Sequence, residues 1–498
     1  MKKINNFSTY SKSIPSDTKR FWSGLLLVLS PWILLFIITS LISHHSVLMS
    51  TPFWNDEISY WHEVLSFSSK GFNFGYYTMD EMTPKLLSFG THGFGTISIY
   101  AAYAKIFGWN YNSIVIANNV FLSLSFLFLV LYLKPTTSKT LLITVFYLTY
   151  TPLILYCSTS MSELLNFALL INYFILLYSY IKSDRKKNKL FYILIVFCSI
   201  ISFVRIIYIV LFLPIILYRD FVLKFDRKTI LLLAGWIFLS FFLFLANSLF
   251  VSPFPYSFLN ELFSISNLHN FIIYFVRHLI TNILRFIYPF RDDFIQVFQR
   301  YIVISSTIWL VLKSRVFRFS HHQIEPLYFS SFLLISLSLI ITFAAYDVFN
   351  WRDYRVMAPL LFGIVLLFIL SDRLFAVKSF LLINVFVLLF LCFSPKVYSS
   401  FLFESKRYSN PLSNVVLNKI KYTENVKNKF ENTLVVDSYD ENVFLKTPAG
   451  IGITQSDSIS DNLQSKYIYI HKPKKFETYQ LVIISGNNFL YQKRLRRQ

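Results

Sequence analysis

Asp56 and Glu57 stand side by side in the stretch Thr51–Trp109, behind Trp54 and Asn55 and ahead of Tyr60, Trp61 and His62. A carboxylate can take a proton from an attacking hydroxyl, and aromatic rings beside it can line a sugar or lie at the headgroup layer of a bilayer. Other polar groups punctuate an otherwise apolar chain: His92, Ser162-Glu163, Arg205, Arg277, Arg285, Arg352 and Arg355. Ionised groups among long apolar runs are costly unless they are used, paired or solvated. Taken together they describe carboxylates for acid–base work and arginines for an anion, beside hydrocarbon. A lipid phosphate carrying a transferable group fits that set, because the planar guanidinium fork matches phosphate oxygens.

Each group also has a plainer reading. Glu57 can cap the helix that follows it, where acidic side chains are favoured, and Glu163 can do the same for its own helix. Arg352 and Arg355 flank Asp353 and can pair with it locally. His92 fits an ordinary interfacial role. Asp56 and Arg205 are the two whose positions ask most for a function, Arg205 because it lies in the middle of the apolar run Leu190–Leu217.

The elements that must position these residues are membrane spans. Of 498 residues, 55% are hydrophobic and only 15% charged, with a mean hydropathy of +0.52. Several apolar runs approach the roughly 20 residues needed to cross a bilayer. The net charge of +21 comes from short clusters between those runs, such as 182–189, 219–228 and 313–318. That placement follows the positive-inside rule and argues against a nucleic-acid surface. Cys157, Cys198 and Cys392 make neither a disulfide framework nor a metal-ligand spacing.

The pattern predicts an uncleaved first helix over Phe21–Ile42 with residues 1–20 cytosolic, then a first outer loop over 44–112. Within that loop Thr96–Phe107 reads as a short interfacial helix. Further spans are expected over Ser113–Leu133, Thr140–Tyr156 and Leu164–Ile181. Leu190–Leu217 reads as a hairpin of two short helices with Arg205 at its turn. Ile230–Phe250, Phe294–Leu312, Leu327–Ala345, Val356–Leu370 and Ser379–Phe393 complete the set. Arg277, Thr281 and Arg285 recur at helical spacing and predict an interfacial amphipathic helix. After Pro395 the chain turns polar, and Thr433–Ser438, Tyr467–His471 and Gln480–Ser485 read as strands. The expected architecture is a polytopic α-helical membrane protein of about 11 transmembrane helices (residues 21–395) with a small C-terminal α/β extracytoplasmic domain (396–498).

The order of these features resembles the GT-C superfamily of polyprenyl-phosphate-sugar-dependent glycosyltransferases, including protein O-mannosyltransferase-like and aminoarabinose-transferase-like enzymes. Trp54-Asn55-Asp56-Glu57-Ile58-Ser59-Tyr60 matches the acidic pattern that follows the first helix in those families. Thr91-His92-Gly93-Phe94-Gly95 stands where their His- or Lys-Pro-Pro-Leu segment begins, without its prolines, and Lys105-Ile106-Phe107-Gly108 where it ends. Met161-Ser162-Glu163 resembles a polar turn after their third helix. Trp351-Arg352-Asp353-Tyr354-Arg355 resembles an Arg-Tyr-rich segment before a late helix.

What the resemblance implies is an inverting glycosyltransferase that moves a sugar from a polyprenyl-phosphate donor to a glycan, lipid or protein acceptor. Asp56 and Glu57 would be catalytic, with Asp56 the general base. Arg205, Arg352 and Arg355 would hold the donor phosphate, and His92, Glu163, Trp54 and Tyr60 would bind substrate. The partners are then the lipid-linked sugar, its acceptor and membrane lipids. No cofactor is required beyond the donor, and a divalent metal stays open. The setting is a multi-pass plasma (inner) membrane protein with its site on the outer side. A flippase or transporter is the rival from another class. Such folds show internal repeats and Gly- or Pro-broken helices near the midplane, whereas this chain has 12 Gly and no visible repeat. A lipid-linked glycan polymerase or ligase is the rival among enzymes.

Overall fold

The computed structural model describes residues 16–38, 51–71, 78–82, 93–183, 188–217, 226–251, 261–262, 264–287, 326–345, 354–372 and most of 417–494, with a few single positions between. Helix α1 (Ser16–Ile33) runs into a π turn, Leu34–Ile38. Pro31 inside it cannot donate to the Leu27 carbonyl, and the Ser30 hydroxyl takes that acceptor instead at 2.7 Å. Helices α2 (Asn55–Lys70) and α3 (Phe94–Phe107) follow in the first loop. Then come α4 (Ser113–Leu133), α5 (Thr137–Thr149), α6 (Thr151–Tyr156) and α7 (Glu163–Lys182). Helix α8 (Asn188–Val204) ends at Arg205, and a 3-10 turn, Ile206–Leu211, leads into α9 (Phe212–Leu217). Beyond them lie α10 (Arg227–Phe250), α11 (Leu268–Ile287), α12 (Pro326–Ala345) and α13 (Tyr354–Leu370).

This is a polytopic helical membrane fold. Four helices are long and apolar enough to cross a bilayer, over Asp17–Ile37, Ser113–Leu133, Glu163–Lys182 and Arg227–Ala246, and four shorter apolar helices accompany them. The expected spans Phe294–Leu312 and, largely, Ser379–Phe393 lie outside the described residues. The expected single span Thr140–Tyr156 is two helices. Pro152 has no N–H for the Leu148 carbonyl four residues back, and the chain breaks at Tyr150, whose φ and ψ are extended, with the proline in the first turn of the new helix.

The hairpin expected around Arg205 is present, but unequal: a full helix leads in, and a 3-10 turn with six helical residues leads out. Helix α11 has its expected amphipathic form. Ile272, Ile273, Val276, Ile280 and Leu284 are exposed, and the Asn282 amide donates to the Phe343 carbonyl of α12 at 3.0 Å.

Hydrogen bonds between helix ends fix the direction of the bundle. At one end the Arg20 guanidinium donates to the Lys134 carbonyl. There Lys139 Nζ also reaches the Leu370 carbonyl and Asp372, both at 2.8 Å. The Tyr178 hydroxyl meets the same Leu370 carbonyl at 3.0 Å. At the other end Tyr100 Oη donates to Asn118 Oδ1 at 2.6 Å, and the Asn118 amide donates to the Met161 carbonyl at 2.9 Å. Asp56, Glu163, Arg205 and Arg355 therefore share one end, and Lys134, Lys139 and Lys182 the other. Close packing depends on small residues, as it must between helices in lipid. A Cβ on Gly363 would lie 1.9 Å from the Phe174 ring, and one on Gly95 would lie 2.2 Å from the Phe203 carbonyl oxygen.

The C-terminal residues do not form a body apart. Strands β1 (Thr78–Met79), β2 (Thr433–Val436), β3 (Gly452–Gln455), β4 (Tyr467–Ile470), β5 (Tyr479–Ser485) and β6 (Asn488–Lys493) make one sheet in the order β1-β3-β2-β4-β6-β5. The first four are parallel; β6 is antiparallel to both β4 and β5. The first loop thus supplies the edge strand of the C-terminal sheet. Glu81 fastens it, accepting from the Gln464 and Ser465 amides at 3.0 and 2.7 Å.

One face of the sheet (Leu434, Val436, Ile453, Tyr467, Tyr469) packs on Ile58, Trp61 and Val64 of α2 and on the short helix α14 (Glu441–Lys446). The other face (Val435, Ile468, Ile470) packs on Ile459, Leu463 and Phe476.

His62 sits in this seam, 2% exposed, with Nε2–H donating to the Ile451 carbonyl at 2.7 Å and Nδ1 without a hydrogen-bond partner among the described residues. Burial pushes its pKa down to about 4, against 6.5 unperturbed. The folded pKa lies below the unfolded one, so His62 favours the fold most above pH 6.5. That contribution is lost as pH falls from 6.5 towards 4, roughly 3 kcal/mol in all. Thermal melts should show α2 and the sheet parting at lower temperature over this window, and His62→Gln should flatten the dependence.

Candidate active site

Four chain ends converge on one spot. Asp56 is the second residue of α2, Glu163 the first of α7, Arg355 the second of α13, and Arg205 the extended residue (φ −150°, ψ 117°) that ends α8. Helix N-termini carry partial positive charge, so Asp56, Glu57 and Glu163 are well placed. Arg355 is not, and it must be compensated by its neighbours.

Those neighbours are on hand. Arg355 Nη2 meets Asp56 Oδ2 at 3.0 Å, and its Nε lies 3.4 Å from Glu163 Oε1. The same oxygen takes Arg205 Nη2 at 3.4 Å. Glu163 is thereby a shared anchor, only 1% exposed, while the side chains of Arg205, Arg355 and Asp56 keep 15, 20 and 26% of their surface open. Glu163 Oε2 is buried without a hydrogen-bond partner among the described residues. The carboxylate and guanidinium edges that can meet a ligand are those of Asp56, Arg205 and Arg355. Pro359, inside α13, has no N–H for the Arg355 carbonyl four residues back.

Glu57 is fully buried. Its Oε2 accepts from the Phe53 and Trp54 amides at 2.7 and 3.0 Å, and its Oε1 accepts from the Ser160 amide at 2.8 Å. It caps α2 and ties the turn before α7 to the helix bearing Asp56. Glu57, expected as a second catalytic carboxylate, has both oxygens turned to backbone donors among the described residues. Glu57→Gln forces an amide N–H against at least one of those donors. We expect about 1–3 kcal/mol lost, read as a lower melting temperature, with glycine-like flexibility gained in the 157–162 turn.

Tyr60 also lies inward. Its hydroxyl accepts from Ser162 Oγ at 3.1 Å, and burial, with Glu163 and Asp56 nearby, raises its pKa far above the ordinary phenol. Tyr60 and Glu163, both expected to touch substrate, are buried and joined to the network. Trp54 is half-buried and packs on the bundle core. His92 and Arg352 lie outside the described residues.

Sequence reasoning did not single out Ser160 or Gly95. The first acts through its amide, and the second lets α3 pass close to the backbone beside Arg205; neither role leaves a mark on residue type alone. Among the described residues no three His, Cys, Asp or Glu groups gather as a metal site would need.

No protein-family model matches the sequence, and none of the curated proteins does. Among solved structures the chain is similar to the archaeal oligosaccharyltransferase AglB from Archaeoglobus fulgidus, in complex with an inhibitory peptide and a dolichol-phosphate. The TM-score is 0.46 at 11% identity, covering 91% of this chain and 70% of that one. A second structure of the Archaeoglobus fulgidus oligosaccharyltransferase, with Zn and sulfate, gives the same score and identity over 91% and 67%. ArnT from Cupriavidus metallidurans in the apo state gives 0.44 at 11% identity, over 95% and 98%.

Proposed function

We propose that this protein is an inverting glycosyltransferase that takes a sugar from a polyprenyl-phosphate donor. The observation that carries the reading is the cluster Asp56–Arg355–Glu163–Arg205 at one end of an apolar bundle. A partly open carboxylate and two partly open guanidiniums stand there on one buried anchor. Asp56 takes the proton of the acceptor hydroxyl as its oxygen bonds to the anomeric carbon. The bond from that carbon to the phosphate oxygen breaks, and Arg205 and Arg355 stabilise the charge gained by the leaving phosphate. Arg352 belongs to the same proposed set by its place in the sequence.

The pairing of Asp56 with Arg355 adds an order of events. While Arg355 holds Asp56, the carboxylate is a poor base, because an adjacent cation favours its ionised form. A donor phosphate that draws Arg355 to itself returns basicity to Asp56. Base strength then appears with the donor bound, and a site without donor wastes none on water.

The site lies at the end opposite Lys134, Lys139 and Lys182, and by the positive-inside rule this supports an outer-side site and sheet at the plasma membrane. The test has two parts. Purified protein supplied with a polyprenyl-phosphate sugar and candidate glycan, lipid or protein acceptors should release polyprenyl phosphate and yield product of inverted anomeric configuration. Cysteine labelling in intact cells should reach Lys475→Cys from outside and Lys182→Cys only after the membrane is opened. Retained configuration, or the reverse labelling, would remove the reading.

A further inference from the structure

The C-terminal sheet is wound in two directions from β2. The connection from β2 to β3 passes through α14 on the face that packs against α2, with Val443, Phe444 and Leu445 buried there. The connection from β3 to β4, residues 456–466, crosses the other face through Ile459 and Leu463. β3 lies on one side of β2 and β4 on the other. The point beyond the carboxyl ends of β2 and β4 is therefore a topological switch point. In parallel sheets the departing connections leave a crevice there, and that is where ligands bind.

The residues at that point are polar and mutually fixed. Asp437 and Ser438 follow β2, and His471 follows β4. The ladder closes with the Asp437 amide donating to the Tyr469 carbonyl at 3.3 Å. Asp437 Oδ2 then accepts from the His471 amide at 2.9 Å, and Oδ1 accepts from His471 Nδ1–H at 2.7 Å. Ser438 Oγ donates to Asp437 Oδ1 at 3.2 Å and lies 3.0 Å from His471 Nδ1. Asp437 thus holds His471 both by its backbone amide and by ring Nδ1. The Asp437 and His471 side chains are 26 and 35% exposed.

Ser438 and Asp437 both meet the same ring nitrogen, so this is not a relay that would activate the serine, whose base must face it with the nitrogen opposite the carboxylate. It is a binding constellation.

The chemistry of the cluster selects its ligand. The β2–α14 loop reads Asp437-Ser438-Tyr439-Asp440-Glu441, acidic and without the glycines that let backbone amides cradle a phosphate; an anion is disfavoured. A divalent cation would need more ligands than this pair, and among the described residues no three His, Cys, Asp or Glu groups gather here. A neutral ligand with adjacent hydroxyls needs neighbouring groups that accept and donate, which Asp437, Ser438 and His471 provide.

We propose that the Asp437–Ser438–His471 crevice binds a neutral saccharide through vicinal hydroxyls. This rests on the sheet alone, separate from the Asp56 cluster, and holds whether or not that cluster transfers sugar.

Isothermal titration calorimetry on the full chain in lipid nanodiscs tests it. The probes are short neutral oligosaccharides of glucose, galactose, mannose and N-acetylglucosamine, with Mn2+, inorganic phosphate and ADP as the other ligand classes. We expect saturable binding of at least one oligosaccharide. It should be weakened about tenfold by Ser438→Ala, which deletes one hydroxyl and leaves the Asp437–His471 pair to hold the strands. His471→Gln should weaken it further, and Asp56→Asn should leave it unchanged. Binding of none of the oligosaccharides overturns the proposal. So does binding that Ser438→Ala and His471→Gln leave intact, or a response confined to Mn2+, phosphate or ADP.

Discussion

Asp56→Asn should fold, insert and dock its C-terminal sheet like the parent, and transfer sugar about a hundred- to ten-thousandfold more slowly. Asparagine keeps the size of the side chain and one oxygen for the Arg355 contact, now at 3.0 Å from Asp56 Oδ2, but it cannot take a proton. Asp56 is partly open, and the Phe53 and Trp54 amides at the start of α2 are held by Glu57. The asparagine oxygen still accepts from Arg355, and Glu163 keeps its charge beside that guanidinium, so the structural cost is small. Donor affinity should hold or rise, since Arg355 is released from a competing carboxylate.

This separates a base from a scaffold: kcat falls and melting temperature does not. The measurement is single-turnover transfer from a polyprenyl-phosphate sugar, with donor binding followed separately. Turnover at the parental rate would exclude Asp56 as the base and leave the glycosyl-transfer reading without its main residue. Glu57→Gln gives the contrasting signature, a stability loss that carries activity with it.

Residues that act through side-chain charge were legible before any fold was known. Asp56, Arg205 and Arg355 are ionised groups beside apolar runs, and such groups stand out by their cost. Arg205 at the centre of Leu190–Leu217 even placed a chain reversal, which the structure has at that residue. What was hidden is what depends on backbone. Glu57 reads as half of an acidic pair, yet its partners are three amides, one of them 103 residues away.

Thr78–Met79 is too short to alternate, so nothing marks it as the edge strand of a sheet built from residues beyond 430. The expected strands Thr433–Ser438 and Tyr467–His471 ran one or two residues past the observed ones. The excess, Asp437, Ser438 and His471, is the polar cluster at the switch point. Gly452–Gln455 and Asn488–Lys493 are not legible in the sequence: the first has one large apolar residue and the second starts Asn-Phe, so neither carries the apolar run that marks Thr433–Val436.

Arg355→Ala should weaken donor binding ten- to a hundredfold, the cost of about 1.5–3 kcal/mol for a charge-assisted contact. It should also destabilise the protein, and the two effects need separating. Glu163 is buried and leans on Arg355 and Arg205 together. Removing one guanidinium leaves a buried carboxylate with half its compensation, a kind of change that is strongly destabilising. A bare loss of donor binding in Arg355→Ala would thus be ambiguous.

The double variant Glu163→Gln, Arg355→Gln removes the buried charge with its partner. It should recover most of the lost melting temperature without recovering donor affinity, because the Arg355 guanidinium is still missing and Arg205 faces the phosphate alone. Arg355→Lys keeps the charge but not the fork, and should bind donor to an intermediate degree. Arg205→Lys should behave likewise, since both arginines hang on the same Glu163 oxygen. If the double variant binds donor as tightly as the parent, Arg355 serves the fold alone. The phosphate must then be held by residues other than this pair.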